Sequence, residues 1–140
     1  MQAFERKVRE SFGRQAFMAT IGAQMTAVGV GSVEIRVSFN SSLTQQNSFI
    51  HAGVITSILD SACGYAALSV APEEAEVLSV EFKVNLLAPA VGESFIARAQ
   101  VKRAGRTLTV CTADAFALNQ GSEKLVATMQ ATIMNMVPRE

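Results

Sequence analysis

The sequence predicts an α+β protein in which an antiparallel sheet wraps around one long central helix. Runs of alternating apolar and polar residues indicate six strands, two before and four after a single apolar stretch of helical length. Strands grouped in this way, with one segregated helix, are typical of the α+β class and not of alternating βαβ units. The length of 140 residues favours a single domain spanning residues 1–140.

The N-terminal segment predicts a short amphipathic helix, because apolar residues recur at every fourth position. These residues are Phe4, Val8 and Phe12, and Gly13 is the predicted stop. The uncharged run 15–33 is predicted to be irregular structure, with a strand near 24–28 and a turn at 29–31. Its polar residues and glycines favour irregular structure over a membrane span.

A helix of unusual composition is predicted from His51 to Ala71, after a polar, turn-rich loop at 40–50. Small residues are frequent in this helix and apolar residues lie on most of its sides. Such a helix is buried nearly all round, and small side chains let other backbones approach closely. Pro72 ends it, because proline cannot continue a helix.

The strands follow from period-two alternation, and the run 107–118 predicts a central strand because it is apolar on both faces. The strand 78–86 is predicted to place Leu78, Val80, Phe82, Val84 and Leu86 on one face and Ser79, Glu81, Lys83 and Asn85 on the other. The last strand is predicted to align Leu125 with Ala127, Met129, Ala131 and Ile133. A sheet that curls around one small-residue helix is a hot-dog fold, and its exposed edge strand favours pairing with a second copy.

Composition narrows the function. With 12 basic and 12 acidic residues the net charge is zero, which argues against a nucleic-acid-binding protein. The two cysteines form no disulfide framework or metal-binding pattern, so a reducing cytoplasm is the expected location. The charged N-terminus lacks the apolar core of a secretory signal.

The residues that carry chemistry cluster around the predicted central helix. His51, the only histidine, precedes Ala52 and Gly53 at the helix start, and Asp60 is the only acid within the helix. A helix N-terminus offers free N–H groups and a positive dipole end. Together with a carboxylate, these groups suit the polarisation of a carbonyl and the activation of water.

The order and spacing of several motifs resemble the PaaI-type hot-dog-fold acyl-CoA thioesterases. The motifs are His51-Ala52-Gly53, Asp60, Leu78–Phe82, Pro89 and Lys102–Leu108, and the resemblance covers nearly the whole chain from about Gly22 onward. It implies hydrolysis of an acyl-CoA to a free carboxylic acid and CoA, within lipid metabolism. Coenzyme A would enter as part of the substrate, with no separate cofactor and no metal.

The resemblance also implies roles for single residues. Asp60 would act as general base on water or as the nucleophile, and the alternative is a solvent-facing helix acid. The N–H just after the histidine, here that of Ala52, would bind the thioester oxygen. This chain has Ala52 where the commoner pattern has glycine. The alternative for His51 is a structural residue of the first helical turn.

Further candidates lie on either side of the helix. In many members of the family, an asparagine about six residues before the histidine contributes to the site from the partner subunit. Gln45 occupies that offset here, Gln46 and Asn47 follow, and any of the three amides could serve. The alternative is a polar surface loop. Ser79 matches a serine that helps to hold the water or the carboxylate, although an ordinary strand position is favoured slightly. The Gln-Gln pair followed by Phe49 resembles a branch associated with medium- and long-chain acyl-CoA.

The basic residues Lys102, Arg103 and Arg106 surround a predicted hairpin turn at 104–105 and are candidates to bind the phosphates of CoA. The alternative is a solvated turn. The expected assembly is a homo-oligomer, either a dimer or a dimer of dimers (a homotetramer), because the edge strand 78–86 would otherwise be left unpaired.

Two other functions compete with the thioesterase. A hot-dog dehydratase or hydratase requires a different spacing of histidine and acid and usually a proline-rich segment after the histidine, which this chain lacks. A non-catalytic acyl-CoA-binding protein could use the same cleft, but the presence of Asp60 argues against a purely binding role.

Overall fold

The computed structural model describes residues 1–138. The helices in this range are α1 (Ala3–Arg14), α2 (Ala16–Ile21) and α3 (Ala52–Val70), with a 3-10 turn at Ser41–Leu43. The strands are β1 (Gln24–Gly29), β2 (Ser32–Ser38), β3 (Glu76–Leu86), β4 (Ser94–Ala104), β5 (Leu108–Asn119) and β6 (Ser122–Met136).

The six strands form one antiparallel sheet in the order β1-β2-β4-β5-β6-β3. The run 107–118 lies in the interior of this sheet as β5, which confirms the predicted central strand. β3 forms one edge, also as predicted. With α3 packed against β2, β4, β5, β3 and β6, the architecture is the predicted hot-dog fold.

The core lies between α3 and the face of the sheet that it covers. Ile58, Leu59 and Ala62 on α3 are fully buried, as are Phe95 and Ala115 on the strands. By length and hydropathy α3 could span a membrane, but 61% of its apolar window is buried inside the fold. Its apolar character is therefore explained by its place in the core.

The N-terminal segment differs from its prediction in two ways. α1 continues through Gly13 to Arg14, so the predicted stop at Gly13 is wrong, and residues 16–21 form α2 instead of irregular structure. α2 is only six residues long, and the burial of Met18 and Ile21 stabilises it. This burial depends on tertiary contacts and not on local helix propensity. Its end is local, because Gly22 adopts a left-handed φ of 74° and donates its N–H to Ala19.

A β-bulge in β3 overturns the predicted faces of that strand. Ser79 pairs with Ile133 and Glu81 with the adjacent Thr132, so Val80 is the extra residue. An extra residue inverts the alternation, and Ser79 therefore lies on the same face as Phe82. A similar shift between β5 and β6 turns Leu125 outward, 41% exposed, and buries Val126 in its place.

Candidate active site

Asp60 lies on the third turn of α3, on the side of the helix that faces β3 and α1. Its half-buried carboxylate accepts a hydrogen bond from the Ser79 hydroxyl, with 2.7 Å between Oγ and Oδ1. The bulge at Val80 makes this contact possible, because it leaves Ser79 facing the helix. Ser79 is thus placed to orient a carboxylate that could act as a base or nucleophile.

The carboxylate opens into a cleft of about 370 Å³ between α1, α3 and β3. Most of the side chains around it are polar: Ser11, Arg14, Gln15, Asp60, Ser61, Tyr65, Glu76 and Ser79, with Gly64 and Val77. This cleft can admit water and a polar reacting group to Asp60. Asp60 is therefore accessible and is neither fully buried in the core nor on an open helix face.

Gln15, at the junction of α1 and α2, contributes to this cleft. The sequence did not predict this contribution. The Gln15 side chain accepts a hydrogen bond from Ser61 Oγ at 3.1 Å and donates one to the Tyr65 hydroxyl at 3.1 Å. Ser11 also contacts the Tyr65 hydroxyl, at 3.4 Å. No sequence pattern indicated this cluster, because Gln15 lies in a stretch that was predicted to be irregular.

The start of α3 is organised by the side chain of His51. Its Nδ1 accepts a hydrogen bond from the N–H of Gly53 at 2.7 Å, so the imidazole caps the helix. A β-carbon on residue 53 would lie 2.9 Å from Nδ1, so this cap requires glycine there. His51 therefore has the geometry of a helix cap, and its imidazole is committed to the helix start.

The cap leaves one backbone donor free. The N–H groups of Gly53 and Val54 both bond to His51, whereas the N–H of Ala52 donates to no described residue. Ala52 does not have a positive φ, so glycine is not required at this position. The N–H that was predicted to bind the thioester oxygen therefore has no acceptor among residues 1–138.

An apolar pocket of about 400 Å³ adjoins the Ala52 backbone. It is lined by Phe49, Ile50, Ile55, Leu86, Leu87, Ala88, Pro89, Ala90 and Val126, with Gln45 at its side. Its composition suits a hydrocarbon group. This pocket and the Asp60 cleft lie at opposite ends of β3.

The three candidate amides before α3 are not equivalent. Gln45 lines the apolar pocket, but its Oε1 accepts the backbone N–H groups of Asn47 and Phe49 and so shapes the loop. The Gln46 and Asn47 side chains are exposed and form no hydrogen bond to described residues. Of the three amides, only that of Gln45 lines the same pocket as Ala52.

One chain does not bring the helix start and Asp60 together. Ala52 and Asp60 are eight residues apart, which is about 12 Å along a helix that rises about 1.5 Å per residue. An oxyanion donor and a base or nucleophile must both lie about 3 Å from the same carbonyl group. Within one chain, Ala52 N–H and Asp60 cannot act on one substrate carbonyl.

The basic residues Lys102, Arg103 and Arg106 are exposed and surround the β4–β5 turn. None of them forms an ion pair with another residue in 1–138. Thr109, near the start of β5, pairs with Ile133, and Ile133 pairs with Ser79. The turn therefore projects from the end of the sheet at which Asp60 and Ser79 lie.

The two cysteines belong to the core. Burial raises the pKa of the Cys63 thiol, and Cys111 and Asp60 nearby add to the shift. Burial also raises the pKa of Cys111, to about 11. Burial and raised pKa values favour the neutral thiols, so both cysteines have the character of core residues and not of nucleophiles.

Comparison with known proteins identifies the family of this chain. Residues 47–124, more than half of the chain, match the family described as Thioesterase superfamily. A thioesterase family protein from Silicibacter pomeroyi is 52% identical, with a TM-score of 0.95 and coverage of 96% of this chain and 99% of that chain.

More distant similarities extend the comparison. The E. coli PaaI protein from the phenylacetic acid degradation operon is 18% identical and shares the fold, with a TM-score of 0.85 over 96% of this chain and 94% of that chain. A Saccharolobus solfataricus protein, whose name assigns it provisionally as an esterase, is 25% identical over 126 residues, 90% of this chain and 81% of that protein.

Proposed function

Because this chain belongs to the Thioesterase superfamily, we propose that it hydrolyses acyl-CoA thioesters, with medium- and long-chain acyl groups favoured, to a carboxylic acid and CoA. The membership makes it a hydrolase of the thioesterase type, as the resemblance to PaaI-type proteins predicted. The choice of CoA as carrier and the preference for acyl length are the proposed part.

The observation that carries the proposal is the Asp60–Ser79 hydrogen bond of 2.7 Å at the wall of an open cleft. As a base, Asp60 would remove a proton from water while the water oxygen bonds to the thioester carbon. The carbonyl oxygen would gain negative charge and accept a hydrogen bond from the backbone N–H of Ala52. Collapse of this intermediate would break the C–S bond and expel CoA as a thiolate, which takes up the proton. Direct attack by Asp60 on the carbonyl is the alternative.

The separation of Ala52 from Asp60 supports a site shared by two copies of the chain. β3 is an edge strand, and its Leu78, Val80 and Leu86 are 53%, 54% and 56% exposed. Antiparallel pairing of two β3 strands would cover these residues and extend the sheet. It would also bring the Ser79 end of one strand beside the Leu86 end of the other.

That pairing accounts for the two different cavities. The cleft at the Ser79 end contains Asp60, and the pocket at the Leu86 end contains Ala52. A two-fold axis near the middle of β3 would therefore join the Asp60 cleft of one copy to the Ala52 pocket of the other. The assembly we propose is this homodimer, or a dimer of such dimers.

The apolar pocket supports the choice of acyl group. Its walls are hydrocarbon side chains such as Phe49, Ile55 and Leu87, and its volume is about 400 Å³. Burying an acyl chain there would contribute about 0.8 kcal/mol for each methylene group.

The exposed cations Lys102, Arg103 and Arg106 would bind the phosphates of CoA, as predicted from the sequence. The two buried free cysteines are consistent with the cytoplasm as the proposed location.

The test is turnover of a panel of short, medium, long and aromatic acyl-CoAs, followed with a chromogenic thiol reagent. Asp60→Asn should lower kcat about 10²–10⁴-fold, because it removes a positioned base at nearly constant shape. Asp114→Asn is the matched control, since Asp114 is exposed on β5 outside both cavities. A folded Asp60→Asn variant with kcat within a few-fold of wild type would reject the proposed chemistry, and binding without turnover by the wild type would favour an acyl-CoA-binding protein.

A further inference from the structure

The β4–β5 turn is fixed to β6 by one residue. The backbone N–H of Asn135 donates to the carbonyl oxygen of Thr107 at 2.8 Å. Its side-chain Nδ2 donates to the carbonyl oxygens of Gly105 and Arg106, at 3.5 Å and 3.3 Å. Asn135 therefore contacts three successive carbonyl groups of the turn.

The orientation of the Asn135 amide follows from these contacts. The opposite orientation would set its oxygen against two carbonyl oxygens, so the nitrogen must face the turn. As a result, Oδ1 is buried without a hydrogen-bond partner among residues 1–138. A buried unpaired oxygen is unfavourable, and its retention indicates that the contacts made by Nδ2 matter.

The carbonyl contacts determine where the N–H groups point. In a planar trans peptide the N–H lies opposite the C=O of the preceding residue, and the described chain has no cis peptide. Since the carbonyls of Gly105 and Arg106 face Asn135, the N–H groups of Arg106 and Thr107 face away from it. Neither N–H donates to a described residue.

The same turn carries the exposed cations Lys102, Arg103 and Arg106, none of which forms an ion pair within residues 1–138. Gly105 keeps the turn tight, because a β-carbon there would collide with the carbonyl oxygen of Leu108. Two successive backbone N–H groups that point outward, with their carbonyls held inward, are donors that an anion can accept. Flexible cations beside such donors add charge, and the fixed donors add geometry.

We propose that Asn135 is a positioning residue for a phosphate-binding turn, in which the N–H groups of Arg106 and Thr107 join the surrounding cations in binding a phosphate of CoA. This inference rests on the proposed function for the identity of the ligand. It adds to that function a residue on β6 that touches no substrate and acts only by orienting the turn. The bound phosphate would accept hydrogen bonds from these two N–H groups, which have no acceptor among residues 1–138.

The experiment compares Asn135→Ala with wild type on an acyl-CoA and on the matching acyl-N-acetylcysteamine, which lacks every phosphate. Weakening hydrogen bonds to a charged group should raise KM for the acyl-CoA about fivefold to tenfold, with kcat unchanged. KM for the short thioester should stay the same. Gln130→Ala is the matched control, because Gln130 is an exposed amide on β6 with no side-chain hydrogen bond to a described residue.

Calorimetry with CoA and with pantetheine tests binding without turnover. Asn135→Ala should weaken binding of CoA and leave binding of pantetheine unchanged, and equal effects on both ligands would overturn the proposal. A loss of kcat on both thioesters would also overturn it, since that pattern marks a general structural role. If Asn135→Ala fails to fold, Gly105→Ala disturbs the same turn without a change of charge. It must likewise weaken the binding of CoA and leave the binding of pantetheine unchanged. Absence of turnover by the wild type would reject the proposed function, whereas unchanged CoA affinity would reject only the turn.

Discussion

Replacing Ala52 by proline would remove the proposed oxyanion donor and very little else. Ala52 is the first residue of α3, where proline is common because the N–H there has no partner within the helix. The residue before a proline must be extended, and His51 already has φ −59° and ψ 136°. The local backbone is thus compatible with Ala52→Pro.

The size of the effect can be worked out from the contacts. No described residue accepts the Ala52 N–H, so its removal breaks no hydrogen bond of the fold. The unfolding free energy should therefore change by less than about 1 kcal/mol. Because proline lowers the conformational entropy of the unfolded chain, this change should be a stabilisation. Loss of one oxyanion donor, in contrast, costs about 10²–10³-fold in kcat.

The assay is hydrolysis of an acyl-CoA together with a urea unfolding curve. Ala3→Pro is the control, because Ala3 is the first residue of α1 and follows Gln2 with φ −71° and ψ 154°. It should fold and turn over like wild type. If Ala52→Pro retains nearly full kcat while correctly folded, the Ala52 N–H is not the oxyanion donor.

Mixing this variant with Asp60→Asn tests the shared site. In a mixed dimer one site carries both defects and the other carries neither, so random pairing should restore about a quarter of wild-type activity. If both residues acted within one chain, each chain in the mixture would stay defective. Activity no higher than that of the separate variants would exclude the shared site.

Three further substitutions test contacts around the site and in the fold. Ser79→Ala should lower kcat about tenfold with little change in KM, because it removes a hydrogen bond to the charged Asp60. Lys7→Met should lower the unfolding free energy by about 1–2 kcal/mol in urea, since the Lys7 ammonium donates to the carbonyls of Pro72, Glu73 and Ala75. Burial opposes ionisation of Glu34, but hydrogen bonds from Thr26 and Arg98 outweigh it and lower its pKa. Glu34→Gln should therefore cost about 0.5–1 kcal/mol at neutral pH, and unfolding curves in acid should show this difference disappear as the pH falls through the lowered pKa.

The fold was largely predictable because its periodic signals are strong. The alternation of Val33, Ile35 and Val37 and the small residues of 52–70 reflect burial that repeats along each element. The segment α2 was not predictable, because two buried residues in six carry no period. The bulge at Val80 was equally hidden, since the apolar residues at 78, 80 and 82 continue the pattern through it.

The candidate site was likewise predictable only in part. The sequence by itself determined the chemistry available: one histidine, one helix N-terminus and one carboxylate on the central helix, at fixed spacing. Tertiary structure decided what each group does. It turned His51 into a cap, left the Ala52 N–H free, brought Ser79 to Asp60 and placed Gln15 beside them. Spacing along a helix is fixed by covalent geometry, whereas contacts between elements depend on bulges, caps and packing that no local pattern records.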